Sequence, residues 1–122
     1  MKNVTAEIKV YTEQDHLEKA SDLTSELYVK FKAAILNLAD GIEIKPQKFY
    51  IAFKKGKNVA DITILKKSLK LFINAKAGQL DDPKKLAQDV SNIGHWGNGD
   101  YQVQVEDDAN LEYIMSLIKQ VF

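Results

Sequence analysis

Neither cysteine nor arginine occurs among the 122 residues. Without cysteine there are no disulfides, no thiolate metal sites, no iron–sulfur clusters and no thiol nucleophile. Without arginine the chain lacks the planar fork that contacts guanine and phosphate in bidentate fashion, so sequence-specific base reading is not expected. Contact with a phosphate backbone through lysine is unaffected. Histidine is nearly absent as well: His16 and His95 are the only two, and neither has a carboxylate at ligand-like spacing, so neither a metal site nor a cofactor is expected. The glycines do not form a phosphate loop, since no Gly-Lys-Ser/Thr follows a strand. No apolar run approaches the roughly 20 residues that span a bilayer, and the first seven residues, Met1 to Glu7, lack the apolar core of a signal peptide. The expectation is a cytoplasmic chain with no membrane partner.

What remains is ordinary for one folded domain. The length suits one core and not two, so residues 1–122 are read as a single domain, either entire or as the C-terminal domain of a longer protein. Apolar residues make up 45% and charged residues 28%, far from the signature of disorder. The 17 basic and 17 acidic residues cancel overall but not locally. Residues 1–44 carry five lysines and eight acids, residues 45–76 nine lysines and one acid, and residues 77–122 three lysines and eight acids. The middle third is thus +8 between flanks of −3 and −5.

Periodicity gives the elements. From Thr12 to Ala39, Leu17, Ala20, Leu23, Leu27, Phe31, Ala34, Ile35 and Leu38 recur every three or four residues, which predicts one long amphipathic helix opened by a Thr12/Asp15 cap and closed near Asp40-Gly41. From Ile42 the period becomes two. Ile42 and Ile44 begin a strand interrupted by Pro46; Phe49, Ile51 and Phe53 face one way in the next; Lys55 to Asn58 is a turn; Val59 to Leu65 and Leu69 to Ala75 follow as strands. Pro83 to Val90 reads as a short helix, Tyr101 to Val105 as another strand, and the stripe Leu111, Ile114, Met115, Ile118, Val121 and Phe122 as a C-terminal helix. The prediction is an α+β fold: a mostly antiparallel meander of four to five strands with helices packed on one face.

If Phe49, Ile51 and Phe53 face the core, the opposite face presents Lys48, Tyr50 and Lys54 on one strand and Lys70, Phe72, Asn74 and Lys76 on another. Lysines interleaved with two aromatics suit nucleic acid, since ammonium groups neutralise phosphates and rings accept stacked bases. Lys55 and Lys57 at the turn would extend that surface as the wing of a β-ribbon reader does. The competing reading, commoner for such patterns, is that the lysines solvate the sheet while Tyr50 and Phe72 lie under a helix. The acidic flanks would then pair with the basic middle.

The segment Gly94 to Asp100 is the most unusual in composition. Its glycines would let the backbone present His95, Trp96 and Asn98 to a ligand or another chain; alternatively Trp96 is a plug that pins the loop. Two Glu-x-Lys triplets, Glu7-Ile8-Lys9 and Glu43-Ile44-Lys45, match part of a nuclease signature, but neither has a preceding acid on a neighbouring strand. No nucleophile, base and orienting group can be assembled, so a non-enzymatic role is expected.

Tyr50 to Ile62, Leu80-Asp81-Asp82-Pro83, Asp89-Val90-Ser91 and the run Ile93-Gly94-His95-Trp96-Gly97-Asn98-Gly99-Asp100-Tyr101 resemble a family of uncharacterised prokaryotic domains labelled predicted transport protein. The resemblance runs from about Tyr11 to Phe122. It implies an accessory domain, of a kind attached C-terminally to nuclease-like domains in restriction or defence proteins, and it supplies no catalytic residue. The hairpin-rich layout is more loosely similar to double-wing domains that present β-hairpins to DNA, a likeness of fold only. These lines converge on a module binding the backbone of DNA or RNA through Lys48, Tyr50, Lys54, Lys55, Lys57, Lys70, Phe72 and Lys76. The alternative is a protein-interaction or dimerisation domain.

Overall fold

A computed structural model describes residues 10–93 and 99–122. Two helices begin the described chain, α1 (Glu13–Leu17) and α2 (Asp22–Leu36), followed by β1 (Glu43–Pro46), β2 (Ile51–Lys55), β3 (Lys57–Ile64), β4 (Leu69–Ile73), β5 (Gln88–Asp89), β6 (Tyr101–Val105) and α3 (Leu111–Lys119). The six strands form one antiparallel sheet in the order β1-β2-β3-β4-β6-β5. The α+β class and antiparallel pairing are those read from the sequence, with one or two strands more than expected.

The long N-terminal helix is two helices. The capping box is present at Thr12 and Asp15, each side chain accepting from the other's backbone N–H. The helical period then runs through a second start: the Ser21 hydroxyl accepts from Thr24 N–H, and Ser21 N–H itself leaves the helical ladder for the carbonyl of Lys66. Serine's preference for this role outweighs continuity of the apolar stripe. A three-residue network joins α1 to α2: the Tyr28 hydroxyl donates to Glu13 Oε2 at 2.6 Å, and Lys32 lies 2.8 Å from the same oxygen. Partial burial alone would raise the Glu13 pKa, but the hydrogen bonds from Lys32 and Tyr28 outweigh it and hold the carboxyl below its ordinary value.

The helix expected over Pro83–Val90 does not form. The Asp82 carboxylate accepts N–H groups from Leu86 at 3.2 Å and Ala87 at 2.8 Å, and Lys85 takes a left-handed φ of 52°. A side chain that captures amides in this way competes with the helical ladder. The segment is therefore a turn leading into β5, and Tyr113 of α3 anchors it by donating its hydroxyl to Asp82.

The core lies between α2, α3 and one face of the sheet. Tyr28, Phe31 and Ile35 meet Ile51, Phe53, Ile62, Leu69, Leu71 and Ile73, with Val103, Leu117 and Ile118 closing the other side. A bulge where Phe53 pairs with Ala60 but Lys54 with Asn58 leaves Val59 as an extra residue, and it too is buried. Phe49 does not join this core: Gln47 N–H bonds to the carbonyl of Tyr50, the chain turns there, and Phe49 is left 42% exposed at the hairpin tip.

Candidate nucleic-acid interface

Register decides what the second face of the sheet presents. Lys45, Ala52, Asp61, Phe72, Gln102 and Gln88 lie side by side across six strands in one row, with Thr63, Lys70 and Gln104 in a neighbouring row. The centre of this face is closed to water. Phe72 is 2% exposed and Asp61 0%, the carboxylate accepting from Asn58 Nδ2 at 3.2 Å. Phe72 is consequently no stacking platform, contrary to the expectation of an open aromatic-lysine surface. Tyr50, Lys54 and Lys70 are half-buried.

The exposed lysines instead gather at the ends of the strands. A meander reverses at every turn, so successive turns fall alternately at opposite ends of the sheet. Lys55 and Lys57 at the β2–β3 tip share one end with Lys76, which follows β4, and with Lys54 one residue inward. Lys48 of the β1–β2 tip and Lys66 and Lys67 of the β3–β4 tip occupy the other. At about 3.3 Å per residue the eight residues of β3 place the two groups about 25 Å apart.

At the first end an open cleft of about 430 Å³ is lined by Lys57, Asn74, Lys76, Gln79 and Gln120, with Val121 and Phe122 at its margin. Its walls are fixed by backbone and amide contacts. Asn74 N–H bonds to the carbonyl of Val59, Gln120 exchanges two hydrogen bonds with the backbone of Asp81, and Ala77 N–H reaches the Asp100 carboxylate at 2.9 Å. The Lys55 ammonium donates to the backbone carbonyl of Asp40, and Glu43 stands opposite Lys54 in the register, so this end carries one acid beside its lysines.

Among the described residues no ion pair joins the acidic flanks to the lysines of the basic middle. Among the described residues the ion pairs are Lys30–Asp108 and Lys32–Glu13, and both lysines belong to α2. No group of three or more His, Asp or Glu side chains among the described residues is placed to hold a metal ion. Among them, no helix is long and apolar enough to cross a membrane. His95, Trp96 and Asn98 lie outside the described residues. Periodicity places Phe49 with the core-facing Ile51 and Phe53 and takes Lys19 and Lys66 into no site; the structure leaves all three exposed.

These features define a small α+β domain whose lysines project from the turns of an antiparallel sheet. The chain belongs to a family described as a domain of unknown function (DUF5655), which matches residues 13–122. It is also similar to an uncharacterized protein of Haemophilus influenzae, 58% identical over 118 residues; the match covers 97% of this chain and 39% of that protein. The chain therefore spans about two fifths of that relative's length. No solved structure matches it.

Proposed function

We propose that the domain is a non-enzymatic accessory module that binds nucleic-acid backbone through the lysines around the β2–β3 tip. The observation supporting this reading is the convergence of Lys54, Lys55 and Lys57 of the β2–β3 hairpin with Lys76, some twenty residues further on, at one end of the sheet beside a polar cleft. Three of these side chains are exposed, Lys55 and Lys57 on paired strands and Lys76 just beyond β4, and ammonium groups at the surface are what a phosphate backbone requires. Lacking arginine, the site would read charge and not base sequence. The relative's additional length has room for the second, nuclease-like domain that such a module would serve.

The test is fluorescence anisotropy with mixed-sequence duplex DNA over a salt series. Three phosphate contacts, from Lys55, Lys57 and Lys76, give a slope of log Kobs against log[salt] of about −2.7. The double substitution Lys55→Ala/Lys57→Ala should bring it to about −0.9. Absence of binding at high-micromolar protein in low salt would sink the proposal. A stable dimer in light scattering, combined with that negative result, would favour the protein-interaction reading.

A further inference from the structure

The opposite end of the sheet carries a second cleft, of about 680 Å³, lined by Asp15, His16, Lys19, Lys48, Phe49, Thr63, Ile64, Leu65 and Lys66. We propose that this cleft binds a nucleoside phosphate, with the base against Phe49 and the phosphate among Lys19, Lys48 and Lys66. The site is separate from the β2–β3 end and does not depend on the backbone-binding proposal.

Three features carry the assignment. The first is size: small-molecule sites occupy about 300–1,000 Å³. The second is chemistry. Three lysines face one acid, Asp15, whose Oδ2 already accepts Thr12 N–H at 2.9 Å. Among them stands an exposed aromatic ring, with the Lys48 ammonium 5.2 Å from its centroid, above a half-buried apolar floor of Ile64 and Leu65. A bare anion has no use for the ring and the floor, and an apolar ligand has none for three ammonium groups. A planar base carrying a phosphate uses both.

The third is preorganisation. Each wall is fastened by a hydrogen bond to a neighbouring element. The Phe49 carbonyl accepts from Thr63 Oγ1 at 3.0 Å, and the Gln47 carbonyl from His16 Nε2 at 2.6 Å, which ties the β1–β2 tip to β3 and α1. Because a carbonyl only accepts, His16 carries a proton on Nε2. The Lys66 carbonyl accepts two hydrogen bonds from the start of α2, from Ser21 N–H and Thr24 Oγ1, both at 2.9 Å. Three elements distant in sequence are thereby set around one space, and binding need only order the lysine side chains. A shallower depression sharing Asp15, His16 and Lys48 continues past Glu18, giving the cleft one acidic margin.

The test is a titration of the isotope-labelled protein with adenosine monophosphate, followed by amide correlation spectra, with inorganic phosphate and adenosine run separately. Saturating shifts are expected at Lys48, Phe49 and Lys66, with adenosine monophosphate binding at least about tenfold more tightly than either part. Phe49→Ala, at an exposed position, should reduce the nucleotide to the affinity of phosphate alone. Lys48→Ala/Lys66→Ala should remove the response to both, and Lys55→Ala/Lys57→Ala should leave all three titrations unchanged. A 5′-phosphorylated oligonucleotide identifies the source: tighter binding than the mononucleotide at these same amides points to a strand end, weaker binding to a free nucleotide. The inference is overturned if millimolar adenosine monophosphate shifts none of these amides, or if Phe49→Ala leaves its affinity unchanged.

Discussion

Replacing Gly99 by alanine tests the fold where the glycine-rich segment returns to the sheet. Gly99 has a φ of +88°, and a Cβ there would stand 2.2 Å from the Ile73 carbonyl oxygen, 2.5 Å from Asn74 Cα and 2.8 Å from the Ile73 carbonyl carbon. All three are backbone atoms at the end of β4, in the centre of the sheet, so no side chain can swing aside. Two costs add. The left-handed conformation is worth about 1–2 kcal/mol for a residue with a Cβ, and forcing atoms into packed backbone about 1–3 kcal/mol. Gly56, at the β2–β3 tip, separates them: its φ is +76° and a Cβ would meet nothing within 4 Å. Gly56→Ala should therefore cost only the conformational part, about 1–2 kcal/mol, and Gly99→Ala about 2–5 kcal/mol. Urea denaturation of both variants beside the parent measures the difference. Equal losses would show that the chain at Gly99 does not lie against Ile73 and Asn74 as described.

Glu13→Gln should remove the charge shared by Lys32 and Tyr28 and loosen α1 from α2, at about 1–2 kcal/mol by thermal or urea unfolding. The pH dependence has a definite sign. Since the Glu13 carboxyl is held below its ordinary value, its contribution is complete above about pH 5 and is lost as pH falls through the lowered value. The stability gap between parent and Glu13→Gln should accordingly close on acidification; a gap constant from pH 7 to pH 3 would contradict the network. Asp82→Ala should strand the amides of Leu86 and Ala87 and the Tyr113 hydroxyl, costing about 1–3 kcal/mol, with faster hydrogen exchange at both amides. Unchanged exchange at Leu86 and Ala87 would mean that Asp82 does not organise this segment.

Periodicity located every long element because it reports which face of a helix or strand is apolar, and burial makes that signal strong. It failed where a side chain competes locally with the backbone. Ser21 and Asp82 both sit in sequences with a helical pattern; the Ser21 hydroxyl caps Thr24 N–H and starts a second helix, while the Asp82 carboxylate captures the N–H groups of Leu86 and Ala87 and prevents one. Phe49 shows another limit. It shares a parity with Ile51 and Phe53, but parity has meaning only inside the strand, and the bond from Gln47 N–H to the Tyr50 carbonyl ends the pairing before Phe49. β5 was invisible because two residues carry no period. For the candidate site, alternation correctly separated Lys70 and Phe72 from the core-facing Leu69, Leu71 and Ile73, but it could not tell that the other face is also closed over Ala52, Asp61 and Phe72.

Nine lysines against one acid over residues 45–76 suggest one basic surface, but a meander converts a basic stretch of sequence into two poles. Turns take the exposed lysines, consecutive turns point in opposite directions, and the order Lys48, Lys55 and Lys57, Lys66 and Lys67, Lys76 therefore alternates between ends. The separation of about 25 Å is about three times the Debye length of about 8 Å at physiological ionic strength. The poles are thus electrostatically independent for any ligand that touches one of them. Among the described residues neither ion pair involves a lysine of the two poles: Lys30–Asp108 and Lys32–Glu13 join residues of the flanks to each other. A nucleic acid engages both poles only if it extends along the strands by about 25 Å, or about seven base pairs at 3.4 Å each. For shorter ligands, substitutions at the two ends should act without coupling, each end binding according to its own chemistry: open lysines beside amides at the β2–β3 tip, and lysines around an aromatic ring at the other.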